Sequence, residues 1–153
     1  MQAQLDEQSV IKANAQFWEQ MLAMTLVPLP MLPEFSIGAG HLLSQVSLSG
    51  VWTGRIEVRM ASPLAYQATS AMMMQPVETV AEADALDAVK EIANMIAGVI
   101  KSSLPRPCSM SVPESEVQES DFCDVAQTPD TLAVAFRHET GDMIVRVIEQ
   151  QAV

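Results

Sequence analysis

The stretch Asp87-Ala88-Val89-Lys90-Glu91-Ile92-Ala93-Asn94-Met95-Ile96-Ala97-Gly98 is typical of an α-helix with two different faces. Because a helix turns about 100° per residue, one set of apolar side chains falls within an arc roughly 140° wide. The members of that arc are Leu86, Val89, Ile92, Ala93, Ile96, Val99, Ile100 and Leu104. We predict that this arc is buried and decides how the helix packs.

A second stripe on the same helix consists of Asp87, Glu91, Asn94 and Gly98, which lie within about 60° of one another. Asn and Gly both lower helix propensity, and Gly costs about 1 kcal/mol relative to Ala. Two interpretations are open. The residues are ordinary surface residues, with Gly98 packed where another element passes close, or Gly98 leaves space for a partner at which Glu91 and Asn94 project.

Composition limits the functional classes. With 153 residues, 49% of them hydrophobic and 18% charged, the chain is predicted to form one globular domain over residues 1–153. Its formal charge of −11 opposes binding to nucleic acid and to anionic membrane surfaces. Asp6 and Glu7 precede any apolar run, which is unlike a signal peptide, and no apolar stretch is long enough to span a bilayer. We therefore expect a cytoplasmic protein with neither nucleic acid nor membrane as a partner.

Potential metal ligands are few and scattered. Cys108 and Cys123 belong to no Cys-x-x-Cys pair, and we expect both to be free, buried thiols. His41 and His138 lie far apart in sequence and are predicted to be surface or partly buried polar residues. The sequence predicts no metal site.

The remaining patterns predict an α+β fold, with long helices packed on one face of a largely antiparallel sheet. Helical periodicity covers residues 11–26 and a shorter segment at residues 62–74. Extended segments are predicted at residues 35–38, 43–48, 51–58, 108–112, 121–127, 131–137 and 142–149, the last two forming a hairpin.

Two short runs have both a structural and a functional interpretation. The three methionines at residues 72–74 are expected to fill gaps in the core, although an adaptable binding surface is the alternative. The acidic residues between 114 and 121 are expected in a solvated loop or edge strand, and attraction of a basic partner is the alternative.

The signature Asp87-x-x-x-Glu91-x-x-Asn94-Met95-Ile96-x-Gly98 follows a Gly50-x-Trp52-x-Gly54-Arg55-Ile56 segment and a helix. Together they resemble the CheC/CheX/FliY family of chemotaxis phosphatases, and within it the CheX-like members. The resemblance follows the order of elements over most of the chain. CheC and FliY carry two Glu-x-x-Asn helices, whereas this chain has one. One departure is that the prolines after the helix come sooner than the proline of the CheC pattern.

The resemblance implies a phosphatase that removes the aspartyl phosphate of a CheY-like response regulator in bacterial chemotaxis signalling. Asn94 would orient the nucleophilic water, and Glu91 would pair with the active-site lysine of the receiver domain, so these two are the candidate catalytic residues. Asp87 and Gly98 would contact the partner. For Asp87, stabilisation of the first helical turn through the helix dipole is an equal alternative.

The resemblance also implies a homodimer and no cofactor of the protein's own, since Mg²⁺ would sit on the phosphorylated partner. A competing hypothesis is a non-catalytic adaptor that binds a receiver domain or a flagellar switch component. A third is a structural dimerisation domain, in which Glu91 and Asn94 would not affect partner binding.

Overall fold

The computed structural model describes residues 5–29, 35–123 and 128–150, which contain three α-helices, one short 3-10 helix and seven strands. In chain order they are α1 (Glu7–Leu22), β1 (Val27–Leu29), β2 (His41–Gly50), β3 (Gly54–Met60), α2 (Ser62–Met73), a short 3-10 helix (Val77–Thr79), α3 (Glu82–Lys101), β4 (Cys108–Met110), β5 (Glu114–Gln118), β6 (Thr131–His138) and β7 (Gly141–Glu149).

The strands form one antiparallel sheet in the order β1-β6-β7-β3-β2, with β4 and β5 both paired to the outer side of β2. All three helices pack on the same face: α1 contacts β6, α2 contacts β7, and α3 contacts β2 and β3. The predicted α+β fold is confirmed, and so is the hairpin of β6 and β7.

The apolar arc of α3 is the largest helical contribution to the core. Ile92, Ile96 and Ile100 are at most 1% exposed, and only Leu86 and Val99 of the predicted arc remain half-buried. Full burial of each isoleucine side chain contributes about 1.5–3 kcal/mol. The helix ends at Lys101, so that Leu104 is buried from the turn that follows it.

The first helix lies four residues earlier than the predicted span 11–26. The Asp6 carboxylate caps it by accepting a hydrogen bond from the Ser9 backbone N–H at 2.9 Å. It ends where Ala23 adopts a left-handed conformation with φ 52°. Residues 27–29 then form edge strand β1, where Pro28 is tolerated.

Several strand predictions were wrong in detail. Residues 35–38 alternate as predicted but do not form a strand; Phe35 and Ile37 instead cover the sheet face opposite the helices. Residues 51–53 form the turn before β3 because Trp52 folds into the core. Of the predicted segment 121–127, residues 121–123 are irregular and residues 124–127 lie outside the described residues.

The acidic run includes edge strand β5, which agrees with one expected interpretation. Its pairing with β2 and a 3.0 Å hydrogen bond from the Ser115 hydroxyl to the Leu86 carbonyl hold it beside α3. Both cysteines are free as predicted, but Cys123 is exposed and Cys108 is half-buried, since β4 lies at the edge of the sheet.

The sheet face opposite the helices contains a buried ion cluster. The Glu57 carboxylate, 5% exposed, is 2.9 Å from both the Arg55 and the Arg146 guanidinium groups and 3.5 Å from Arg59. The Phe122 ring lies over Arg59, 3.9 Å from its guanidinium carbon. Burial raises the pKa of Glu57, but the three guanidinium groups outweigh it, so the pKa lies below its ordinary value.

His41 extends this cluster and is 1% exposed, so its predicted partial exposure was wrong. One ring nitrogen (Nδ1) is 2.8 Å from the Gly38 carbonyl oxygen, and the other (Nε2) is 3.0 Å from Arg59. Nδ1 therefore donates while Nε2 accepts, which is the neutral ring. Burial lowers the pKa of His41, and the nearby Arg59 charge lowers it further.

We expect Glu57→Gln to lower the free energy of unfolding by about 3–5 kcal/mol, because it leaves buried guanidinium charge without its carboxylate. Urea unfolding measures this. Glu116→Gln, on exposed edge strand β5, is the matched control and should change stability little. A loss below 1 kcal/mol for Glu57→Gln would contradict the structural role of the cluster.

Acidification below about pH 6.5, the ordinary His pKa, should destabilise the protein through His41. In that range His41 is protonated in the unfolded chain but stays neutral in the folded protein. The free energy of unfolding is therefore highest above about pH 6.5 and decreases as the pH falls. Urea unfolding at about pH 7 and about pH 5.5 should show a smaller difference for His41→Gln than for wild type. If His138→Gln removed the difference instead, the assignment to His41 would be wrong.

Candidate functional site

The predicted polar stripe of α3 lies on the outer surface of the molecule. Asp87, Glu91, Asn94 and Gly98 are all exposed, while residues between them, such as Ile92 and Ile96, are fully buried. This difference in exposure follows from the helical period. Because the apolar arc packs on the sheet, the side chains on the other side of the helix face solvent. The structure therefore brings all four residues to one face, while their roles stay predictions.

Glu91 and Asn94 have no competing interactions within the molecule. Among the described residues, neither side chain hydrogen-bonds or forms an ion pair with another residue. A helical spacing of three residues separates them by about 4.5 Å along the axis. The pair thus offers a carboxylate, which accepts hydrogen bonds, beside a carboxamide, which both accepts and donates them.

Asp87 forms an exposed ion pair with Lys90, at 3.2 Å, and its own side chain is 74% exposed. Helix α3 begins at Glu82, so the acidic residues of its first turn are Glu82 and Asp84. The alternative role of Asp87 in the first turn is therefore wrong. A contact with a partner stays a prediction.

Gly98 is not a packing glycine. A Cβ atom built on it would meet no other atom within 4 Å, which excludes the interpretation that another element passes close. Gly54 is the opposite case, since a Cβ there would meet the Ile148 carbonyl oxygen and lie 2.6 Å from the Trp52 ring. The lower helix propensity of Gly98, which lies in the last turn of α3, is therefore not offset by packing within the chain.

The surface that includes the stripe changes charge from one end of α3 to the other. Asp84, Asp87 and Glu91 lie toward the start of α3. Beyond Gly98, a cavity of about 470 Å³ is bordered by Lys101 and Arg106. Within the described ranges neither of these two cations has an ion-pair partner. A partner on this face would meet negative charge at one end and positive charge at the other.

An apolar surface lies beside the stripe, where the sequence favoured a core role for the methionine run over the alternative of an adaptable binding surface. Met73 and Met74, at the end of α2, are 45% and 93% exposed, and Met21 of α1 is 59% exposed. The expected core role of the methionine run was wrong for Met73 and Met74, while Met72 is half-buried against the core. Three consecutive helical residues span about 200°, so an amphipathic helix cannot bury all of them. That geometry was the available signal.

Two negative findings apply to the described residues. No three His, Cys, Asp or Glu side chains lie close enough together to hold a metal ion. No helix in those same ranges has the length and apolar composition needed to cross a membrane.

Comparison with known proteins identifies the family. The family model described as chemotaxis phosphatase CheX matches residues 42–128, more than half of the chain. No curated protein sequence matches the chain.

Solved structures share the fold at low sequence identity. Chemotaxis protein CheX from Desulfovibrio desulfuricans is 18% identical with a TM-score of 0.71, covering 94% of this chain and 97% of its own. A CheC-like superfamily protein from Shewanella sp. PV-4 is 15% identical with a TM-score of 0.75, covering 94% and 96%. CheX from Borrelia burgdorferi, solved in a complex with CheY, BeF3 and Mg²⁺, is 16% identical with a TM-score of 0.71, covering 94% and 97%. The family match and the shared fold together show that this chain belongs to the CheX family of chemotaxis phosphatases.

Proposed function

We propose that this protein dephosphorylates the aspartyl phosphate of a CheY-like response regulator in bacterial chemotaxis signalling. The observation that carries the proposal is the exposed Glu91–Asn94 pair, whose side chains have no partner within the described part of the chain. A buried apolar arc holds the helix behind them in place. Family membership and the CheX–CheY complex from Borrelia burgdorferi support a receiver domain as the partner.

The reaction needs little from the phosphatase beyond position. In the hydrolysis, the oxygen of water bonds to phosphorus while the bond from phosphorus to the aspartate oxygen breaks. The aspartate leaves as a carboxylate, and inorganic phosphate takes up the remaining atoms of the water. Mg²⁺ on the receiver would neutralise charge on the phosphoryl group, so what is missing is a water held in line with the leaving oxygen.

Asn94 is suited to hold that water. Its carboxamide oxygen can accept a hydrogen bond from the water while its NH₂ group donates to the phosphoryl group or the receiver. A glutamine orients water in the same way in GTPases. Because a carboxamide does not titrate near neutral pH, the proposal assigns no proton transfer to this residue.

Glu91 would bind the active-site lysine of the receiver and so bring Asn94 to the phosphoryl group. This role is docking rather than general-base catalysis. Asp87 would add negative charge to the same contact, and Gly98 would let the receiver backbone approach α3, since its Cα faces open space.

Asn94→Ala should lower the kcat for dephosphorylation about 100-fold, because a misplaced water loses the near-attack geometry. The measurement is the decay of the organism's phosphorylated CheY with and without the protein. Glu91→Gln should chiefly raise KM, since its role is docking. Glu116→Gln, on β5 and outside the stripe, is the matched control for a lost surface carboxylate.

The same assay separates the alternatives. If wild type binds phosphorylated CheY but leaves its decay unchanged, the adaptor hypothesis replaces the phosphatase. If Asn94→Ala and Glu91→Gln change neither binding nor decay, the pair is not the site.

Gly98→Ala should affect stability and activity in opposite directions. Helix propensity predicts a gain of about 1 kcal/mol in the free energy of unfolding, as no atom obstructs the new methyl group. The same methyl group should raise KM for phosphorylated CheY if the partner backbone approaches there. Gly54→Ala is the contrasting control, which should destabilise the fold through its clash with Trp52. An unchanged KM in Gly98→Ala would exclude close approach at this position.

The proposal includes a homodimer, as the family resemblance implies, and places its action in the cytoplasm. Light scattering during size-exclusion chromatography measures the molar mass directly, and a monomeric mass at micromolar concentration would contradict the dimer.

A further inference from the structure

A groove of about 580 Å³ runs between α1, the end of α2 and α3, directly beside the stripe. We call it the methionine groove; its apolar side includes Phe17, Met21, Met73, Met74 and Met95, and its acidic rim is Asp84, Asp87 and Glu91. Of these eight residues, Asp87 and Glu91 also belong to the stripe.

The apolar side of the groove exposes several large hydrophobic side chains close together. Met21, Met73 and Met74 are three of the seven large hydrophobic side chains that are exposed within the described ranges. A cluster of such side chains marks an interaction site more often than an isolated one does. Methionine is also flexible and polarizable, so that its side chain adapts to a partner.

Met74 is the most unusual member. It ends α2 in a left-handed conformation with φ 54°, where glycine or asparagine is the usual residue, and its side chain is 93% exposed. A non-glycine residue costs about 1–2 kcal/mol in this conformation. At 93% exposure the side chain recovers little of that cost by burial.

The rim determines the chemistry of the occupant. Asp84 and Glu91 have no ion-pair partner among the described residues, and Asp87 is paired only with exposed Lys90. The three carboxylates extend over seven residues of one helix, about 10 Å. An occupant that complements both sides of the groove carries an apolar side chain flanked by lysine or arginine.

The groove lies beside Asn94, and this position indicates which protein binds in it. Asn94 lies one helical turn beyond Glu91, so a folded domain that presents a phosphoryl group to Asn94 also covers the groove. A second contact on the same domain adds binding energy at a distance from the reacting atoms.

We propose that the methionine groove binds a surface segment of the same receiver domain, one in which an apolar side chain is flanked by basic residues. This inference rests on the proposed function. The groove supplies affinity and fixes the orientation of the receiver, and it takes no part in the chemical step.

The test is the double variant Met21→Gln/Met74→Gln. Binding is measured with the organism's CheY loaded with beryllofluoride, and turnover with phosphorylated CheY. We expect Kd and KM to rise about tenfold with kcat unchanged. Val112→Gln is the matched control, because Val112 is 83% exposed and is not among the groove residues.

Met74→Gly separates docking from folding. Glycine relieves the left-handed conformation, so the free energy of unfolding should rise while Kd also rises. If binding weakens only in variants that lose stability, a structural role explains the result and the proposal is wrong.

The possible outcomes also separate this inference from the proposed function. If wild type accelerates decay and the groove variants keep wild-type Kd and KM, the groove proposal is wrong and the phosphatase stands. If the variants alter self-association but not receiver binding, a second copy of the chain covers the groove, which also overturns the proposal. If wild type neither binds nor dephosphorylates CheY, the proposed function is wrong, and the groove proposal, which rests on it, is wrong as well.

Discussion

Burial of the apolar arc of α3 against β2 and β3 fixes the rotation of that helix about its axis. This contact therefore also determines the direction in which each exposed side chain of α3 points. Ile92, Ile96 and Ile100 are at most 1% exposed, so a rotation that hid Glu91 or Asn94 would bring at least one isoleucine into water. The orientation of the stripe is therefore a consequence of core packing and needs no dedicated hydrogen bond.

Part of the sheet is buried on both of its faces. On the helix side, alternate residues such as Val145 and Val147 join the main core. On the other side, Phe35 and Ile37 cover apolar residues, and Phe122 lies over the Glu57 cluster. The cluster ties β3 to β7, because the Glu57 carboxylate on β3 is 2.9 Å from the Arg146 guanidinium on β7.

Features governed by local periodicity could be predicted from the sequence. The two faces of α3, the hairpin of β6 and β7 and the antiparallel sheet with helices on one side all follow from spacing and turn residues. The Glu-x-x-Asn signature located the candidate site, because consecutive helical turns place its members on one face whatever the rest of the fold does.

Features governed by contacts between distant segments could not be predicted. Alternation along β3 places Glu57 on the face opposite the helices, but the cluster around it also needs Arg146 and Phe122, 89 and 65 positions further along the chain. The methionine groove needs α1 and α2 to be placed beside α3, which periodicity within one helix does not encode. The start of α1 is a local feature instead, since it is set by the Asp6 carboxylate that caps the helix.

Both tryptophans are buried, so that intrinsic tryptophan fluorescence can be used to follow folding. Trp18 and Trp52 are 0% and 2% exposed, and neither borders the stripe or the methionine groove. Trp18 nevertheless lies directly behind the methionine groove, because its ring centroid is 5.3 Å from that of Phe17. Emission recorded during a titration with a partner that has no tryptophan therefore follows the packing of the core, and Trp18 follows it where the core meets the covered face.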